Sequence, residues 1–361
     1  MLISLLLLFT GIGLFVAFFS ASANTAATNE STLIEYPIPT TNGGPQSIVA
    51  QDPGHVWFTL PEENAIGELV VTSTVDYQFH IHHVLTSNSE PYDLVFDGQY
   101  IWFTERAGNR LGQLDPVTKI ITETILTPAN SMPTSIDVAP NGYIWLTKPG
   151  TPSGNISRYD PGAASDPFQD YTYTNATNPT ATPKDISVVN NNAIAFTVPD
   201  SNLLVELALN PTTFKEVPLN TVGSPSFPPG GVTNDGQGAW VSAPTKGWFG
   251  RHVPGTLSNF LWLGSPSNEV APTAIYHHAD GVNRQIWYVG TSSNHIGNIV
   301  VDPDGRKINS LDFVLPQANS YPSDIVVDDN LHAWIAESGS NTIAEWKPPY
   351  VMSAYVPIII K

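Results

Sequence analysis

The sequence contains no cysteine, so its stability must come from burial and chain closure, even in a compartment that permits disulfides. Basic residues are scarce too. Fourteen Lys and Arg stand against 32 Asp and Glu, a net charge of −18, which repels phosphate backbones and anionic lipid and excludes nucleic acid as a partner. Long apolar runs are missing after the first twenty residues, so nothing further along the chain is long enough to span a bilayer.

What is present begins with Leu2 to Phe19, an almost unbroken apolar run followed by the small-x-small pattern Ala21-Ser22-Ala23. This predicts a secretory signal peptide over 1–23, a short linker over 24–31 and a mature chain outside the cytoplasm. No Lys or Arg precedes the run, and its length is marginally sufficient to span, so an uncleaved anchor is the alternative.

The rest of the chain is a repeat. Seven segments, among them "PYDLVFDGQYIWFTE", "PTSIDVAPNGYIWLT" and "PSDIVVDDNLHAWIAE", carry an aromatic ladder of Trp57, Trp102, Trp145, Phe196, Trp240, Trp287 and Trp334, spaced 43 to 51 residues apart. A second ladder, Pro45, Pro91, Pro133, Pro183, Pro229, Pro272 and Pro322, keeps step with it. Each unit divides into four short strands: one opening on Pro, a Gly/Asn/Asp turn, the aromatic strand, a polar loop often holding Asn seven residues on (Asn64, Asn109, Asn294, Asn341), a third strand starting near a small residue, and a fourth. Four strands every ~40–50 residues is the spacing of a propeller blade. The last unit lacks its fourth strand and "TLIEYPIPT" near the N-terminus has the pattern of one. The prediction is an all-β, seven-bladed β-propeller over 32–347, closed by Thr32 to Pro39, with a tail over 348–361 outside the repeat. Such closure removes an open sheet edge.

The unit "P-x-x-I…DG…IWFTE…N-x-I/L-G-x-L" resembles the streptogramin lyase (virginiamycin B lyase) family across all seven units. NHL-repeat and gluconolactonase-like propellers are close in pattern. The resemblance implies a magnesium-dependent elimination that opens a cyclic ester. It places a metal-binding Glu and a basic His in Glu-Pro-His at the start of one first strand, a second metal-binding Glu just after the following aromatic strand, and a substrate-holding His after the Pro of the preceding unit. Elimination needs a base for the proton α to a carbonyl and a cation on the carbonyl oxygen.

Here the matching stretch is Glu90-Pro91-Tyr92. Tyr stands at the base position, Glu105 comes one residue earlier than the family's second acid with Arg106 at the expected place, and Gln46 follows the preceding proline. No unit has a histidine after its proline. A phenol with a pKa near ~10 serves as a base only where something lowers that value.

Other constellations sit beside plainer readings. Glu105 and Glu337 occupy the same place in their units, so both should point toward the same face of the ring, where they could bind Mg²⁺ or Ca²⁺ or be solvated loop acids. Trp248, with Lys246 and Arg251 near it, could form a stacking platform for a sugar or peptide, or pack under a loop. His80 and His82 share one side of an outer strand, where a solvated edge is the plainer reading. Asn155-Ile156-Ser157 and Asn175-Ala176-Thr177 are glycosylation sequons in a suitable host. The expected function is a ligand-binding or interaction propeller that lacks the family's histidine, a monomer holding a small molecule, peptide or glycan on one face. Gln46, Trp248 and Arg251 are the candidate ligand-binding residues. The alternatives are a C–O lyase, with Glu90 and Glu105 on the cation and Tyr92 as a displaced base, or a gluconolactonase-like hydrolase.

Overall fold

A computed structural model describes residues 16–19, 31–150, 155–219, 227–255, 260–267, 269–279, 283–303 and 305–348. Most of the leader over 1–23, the linker and the C-terminal tail therefore lie outside the described residues. Seven antiparallel sheets follow one another along the chain, each joined by hairpins in sequence order. The fold is the expected seven-bladed propeller.

The seventh blade combines both ends of the repeat. Pro322–Val327, Ala333–Glu337 and Thr342–Lys347 are completed by Ser31–Pro37, paired in the register Thr32↔Lys347 to Pro37↔Thr342. The backbone of Val16–Phe19 adds a fifth strand outside Ser31–Pro37. No helix among the described residues is long and apolar enough to cross a membrane.

Packing explains the repeat signature. The ladder aromatics are buried, and their apolar surface fills the space between adjacent blades: Trp334 packs with Ile48 and Phe58 of the first blade, and Trp57 with Leu94 and Phe103 of the second. A buried indole still needs a partner for its N–H. The turn after the first strand supplies one. Asp97 accepts from Trp102 at 2.6 Å, Asp235 from Trp240 at 3.1 Å and Asp328 from Trp334 at 2.9 Å. The small residue on the third strand has a steric cause: a Cβ on Gly67 or Gly112 would lie 2.1 Å from the ring of Phe58 or Phe103.

The recurrent Asn is a staple between blades. Asn64, Asn109, Asn294 and Asn341 all take positive φ, between 51° and 58°, a region Asn enters more readily than most residues. From there each amide reaches the loop leading into the next blade. Asn109, for instance, donates to the Leu126 carbonyl at 2.8 Å and accepts from the Ser131 N–H at 2.8 Å. In the fifth blade Gly247, with φ 64°, holds this place and Trp248 follows it.

Candidate functional site

The seven first strands surround a central cavity of about 710 Å³. The residues after the prolines ring one end of it, including Gln46, Tyr92, Thr134, Lys184, Thr273 and Ser323. One step deeper the chain places Asp324, Ser47, Asp93, Ser135 and Asp185 on consecutive blades. Each of these carboxylates accepts a backbone N–H from the following blade: Asp324 from Ile48 at 3.0 Å, Asp93 from Ile136 at 3.0 Å and Asp185 from Val232 at 2.7 Å. Asp137, deeper still, accepts from Val188 at 2.7 Å. The inner ring is therefore laced by acids.

Ser47 makes the protonation state of this ring legible. Its Oγ lies 2.7 Å from Asp93 Oδ1 and 2.9 Å from Asp324 Oδ2. A hydroxyl has one proton to donate, so the second contact is a hydrogen bond only when one carboxyl is protonated and donates to Ser47. Burial, reinforced by Asp324, pushes Asp93 up to about 7, and burial pushes Asp324 and Asp137 up to about 6. Sequence reading missed this ring. Its signal was the Asp or Ser two residues after the proline in "PYD", "PKD", "PSD", "PQS" and "PTS".

At the mouth, Arg106 Nε donates to Glu90 Oε2 at 3.0 Å and its guanidinium carbon lies 4.3 Å from the centre of the Tyr92 ring. Glu90 has φ 54°, an unusual backbone state for a residue before proline. Met132 and Tyr321, which precede Pro133 and Pro322, share it at 50° and 46°. This conformation is thus a property of the blade rather than strain peculiar to one site. Burial raises the Tyr92 pKa, Arg106 opposes this, and Asp93, Asp185 and Glu90 add to the rise. A raised phenol is the wrong direction for a base.

The other candidates are dispersed. Glu105 and Glu337 lie in the second and seventh blades, fully buried at the ends of their aromatic strands, and both are pushed up to about 7, chiefly by burial. Their charged neighbours differ: Glu123 adds to the rise of Glu105, and Glu35 to that of Glu337. Among the described residues no group of three His, Cys, Asp or Glu side chains is arranged to hold a metal. Trp248 is 39 % exposed and packs with Phe227 and Trp262, while Lys246 lies over Phe227. Arg251, at the other end of that strand, is held by Asp235 at 2.6 and 3.1 Å; the two do not form one platform. His82 does not stand free on a solvated edge, because it meets the buried Glu68 at 3.0 Å, as His55 does at 2.9 Å. Asn175 is buried, with its amide bound to Tyr173 and Glu216, which closes it to glycosylation.

The donor set at Glu90 does not fit a divalent cation. The carboxylate faces a guanidinium, and the residue at the second ligand's place is that guanidinium's own Arg106.

Fold and site together define a closed seven-bladed propeller with an acid-laced axial channel and a Tyr–Arg–Glu cluster at its mouth. The Virginiamycin B lyase family model matches residues 31–346, and the chain belongs to that family. A stretch of 76 residues is 32% identical to the virginiamycin B lyase of Nocardia farcinica (strain IFM 10152), covering 20% of this chain and 25% of that protein. The match thus spans about a quarter of that relative. Among solved structures, one described as a streptogramin B lyase has a TM-score of 0.73 at 23% identity, over 88% of this chain and 97% of that one. The virginiamycin B lyase of Staphylococcus aureus gives 0.73 at 22%, over 88% and 100%. At these identities the likeness concerns the fold.

Proposed function

We propose that this chain is a ligand-binding propeller that holds a small molecule or peptide at the channel mouth without opening it by metal-assisted elimination. The observation that carries this reading is the Arg106–Glu90 ion pair. It places a fixed positive charge where the family's chemistry calls for a metal ion between carboxylates. Tyr92 beside it stays a hydrogen-bond donor and a stacking face, because its proton is held more tightly than in a free phenol. Gln46, Thr134, Thr273 and Ser323 add neutral donors and acceptors around the same rim, and Lys184 adds a second positive charge. The apolar run Leu2 to Phe19 supports a site of action outside the cytoplasm.

The test uses quinupristin, which accompanies an inactive variant of the S. aureus lyase in a solved structure. The full chain is incubated with it, with and without Mg²⁺, and the products are separated by chromatography and fragmented by tandem mass spectrometry. Elimination leaves the mass unchanged, whereas hydrolysis adds a water. The expected result is binding in a calorimeter, weakened about tenfold by Tyr92→Ala as befits loss of a central aromatic contact, with no ring opening. Magnesium-dependent opening that disappears in Glu90→Gln would overturn the proposal and restore the lyase reading.

A further inference from the structure

The same sheet position is filled differently in three blades. It combines the last residue of the second strand with the residue diagonally across the sheet on the fourth strand. In the third blade, Lys148 pairs with Asn155, and Ser157, two residues on, faces Asp170. The Lys148 ammonium, 1% exposed, donates to Asp170 Oδ1 and to the Thr127 carbonyl, each at 2.7 Å. That carbonyl belongs to the loop arriving from the preceding blade. A cation therefore joins strand, outer strand and loop.

In the second blade the register gives Glu105, Arg110, Gly112 and Glu123. The position of the lysine has become a carboxylate, but Arg110 Nε lies 3.6 Å from Glu123 Oε2, and Glu123 also takes the Leu85 and Thr86 N–H groups at 2.6 and 2.9 Å.

In the seventh blade the register gives Glu337, Thr342, Ala344 and Glu35. Two carboxylates again face each other, and Thr342 stands where the second blade has its arginine. Among the described residues no Lys, Arg or His is ion-paired with either. Glu337 is fully buried. Its Oε1 and the Oε1 of Glu35 are buried with no hydrogen-bond partner, while Glu337 Oε2 accepts from Ser340 at 2.8 Å. The N–H groups of Leu126 and Leu315 bond alike to Asn109 and Asn294, so the loop residue equivalent to Thr127 is Pro316.

We propose that Glu35 and Glu337 bind a calcium ion where the third blade uses the ammonium of Lys148. Two carboxylates balance a divalent charge, and carboxylate, hydroxyl and carbonyl oxygens suit a hard cation; the one nitrogen recorded there, Gln317 Nε2, lies 3.5 Å from Glu35 Oε2. The ion would tie together Ser31–Pro37, Ala333–Glu337 and the loop from the sixth blade, which are the segments that close the ring. This site belongs to the seventh blade, whereas the Glu90–Arg106 cluster belongs to the second, and it does not rest on the ligand-binding reading.

The test is calcium titration into the EDTA-stripped full chain near pH 8, with scanning calorimetry in parallel. The expected result is one binding site and, at a hundredfold excess over Kd, a rise in Tm on the order of 5 °C. Both should vanish in Glu337→Gln, and both should persist in Glu90→Gln. Glu337→Lys, which copies the third blade, should match the calcium-loaded wild type in stability while ignoring calcium. No calcium shift in the wild type, or one that survives Glu337→Gln, would overturn the proposal.

Discussion

The side chain of Arg106 donates to the carboxylate of Glu90 at 3.0 Å. The position that carries the second metal-binding acid in the resemblance thus carries the counter-ion of the first. If Arg106 is what keeps a divalent ion away, Arg106→Glu should create a site, because two carboxylates then flank the mouth and one positive charge is gone. Measured in a Glu337→Gln background, which removes the closing blade from the readout, Mn²⁺ should bind in the sub-millimolar range. Adding Glu90→Gln should abolish that binding. Absence of Mn²⁺ binding in the Arg106→Glu protein would mean the backbone around Glu90, rather than the guanidinium, prevents it.

Buried acids of the inner ring and of the aromatic-strand ends give the protein an unusual pH dependence. Asp93, Asp137, Asp324, Glu105 and Glu337 all have folded pKa values of about 6 to 7, above the unfolded values of about 4. Between those values the folded state binds more protons than the unfolded chain. Their contribution is therefore fully present below about pH 4 and is lost as pH rises through 6 to 7. Asp235, held to about 2 by Arg251 against the effect of burial, acts in the opposite sense and loses its contribution only in strong acid. Thermal unfolding without added metal should peak near about pH 5 and fall by several degrees towards pH 8. Asp93→Asn keeps a donor for Ser47 at every pH and should flatten that fall.

Closure makes its own prediction. Tyr36 OH donates to Glu345 at 2.9 Å within a fully buried contact, and Tyr36 stacks on Trp334. Tyr36→Phe keeps the ring and removes the hydrogen bond to a charged acceptor, which should cost about 1.5–3 kcal/mol in urea unfolding. Deleting residues 31–37 is a different matter, since it bares the outer edge of Thr342–Lys347 and removes Leu33, Ile34 and Tyr36 from the core. An unpaired edge invites association. Light scattering should therefore show oligomers, while the Tyr36→Phe protein stays as disperse as the wild type.

Periodicity made the scaffold legible. The Trp and Pro ladders recur in the sequence because every blade solves the same packing problem, and the unpaired last unit matched the spare N-terminal strand for the same reason. The sites resisted reading where they depend on register. Glu35 and Glu337 are about 300 residues apart in sequence, and only the pairing of Ser31–Pro37 with Thr342–Lys347 puts them on one face. Glu337 was visible as a candidate, but grouped with Glu90 and Glu105 because its true neighbour lay at the other end of the chain. Arg106 was visible as a departure from the family pattern. That it turns back onto Glu90, and that Arg251 turns to Asp235 rather than to Trp248, are choices of side-chain direction that spacing does not encode.

The Asn ladder was legible as a pattern before it had a mechanism, and it supplies the most direct test of how the blades are joined. Asn109 combines a left-handed backbone with four hydrogen bonds from its amide: to the carbonyls of Leu126 and Pro128, and from the N–H and hydroxyl of Ser131. Asn109→Gly keeps the backbone state and loses the amide, whereas Asn109→Ala loses both. The two costs should therefore separate. Loss of the amide leaves buried loop groups unpaired, about 1–3 kcal/mol, and the left-handed state adds about 1–2 kcal/mol for a residue with a Cβ. Urea unfolding should rank wild type above Asn109→Gly and that above Asn109→Ala. Equal losses in the two variants would mean that the amide alone holds the loop. A loss confined to Asn109→Ala would mean that backbone conformation alone explains why the sequence repeats Asn at this place.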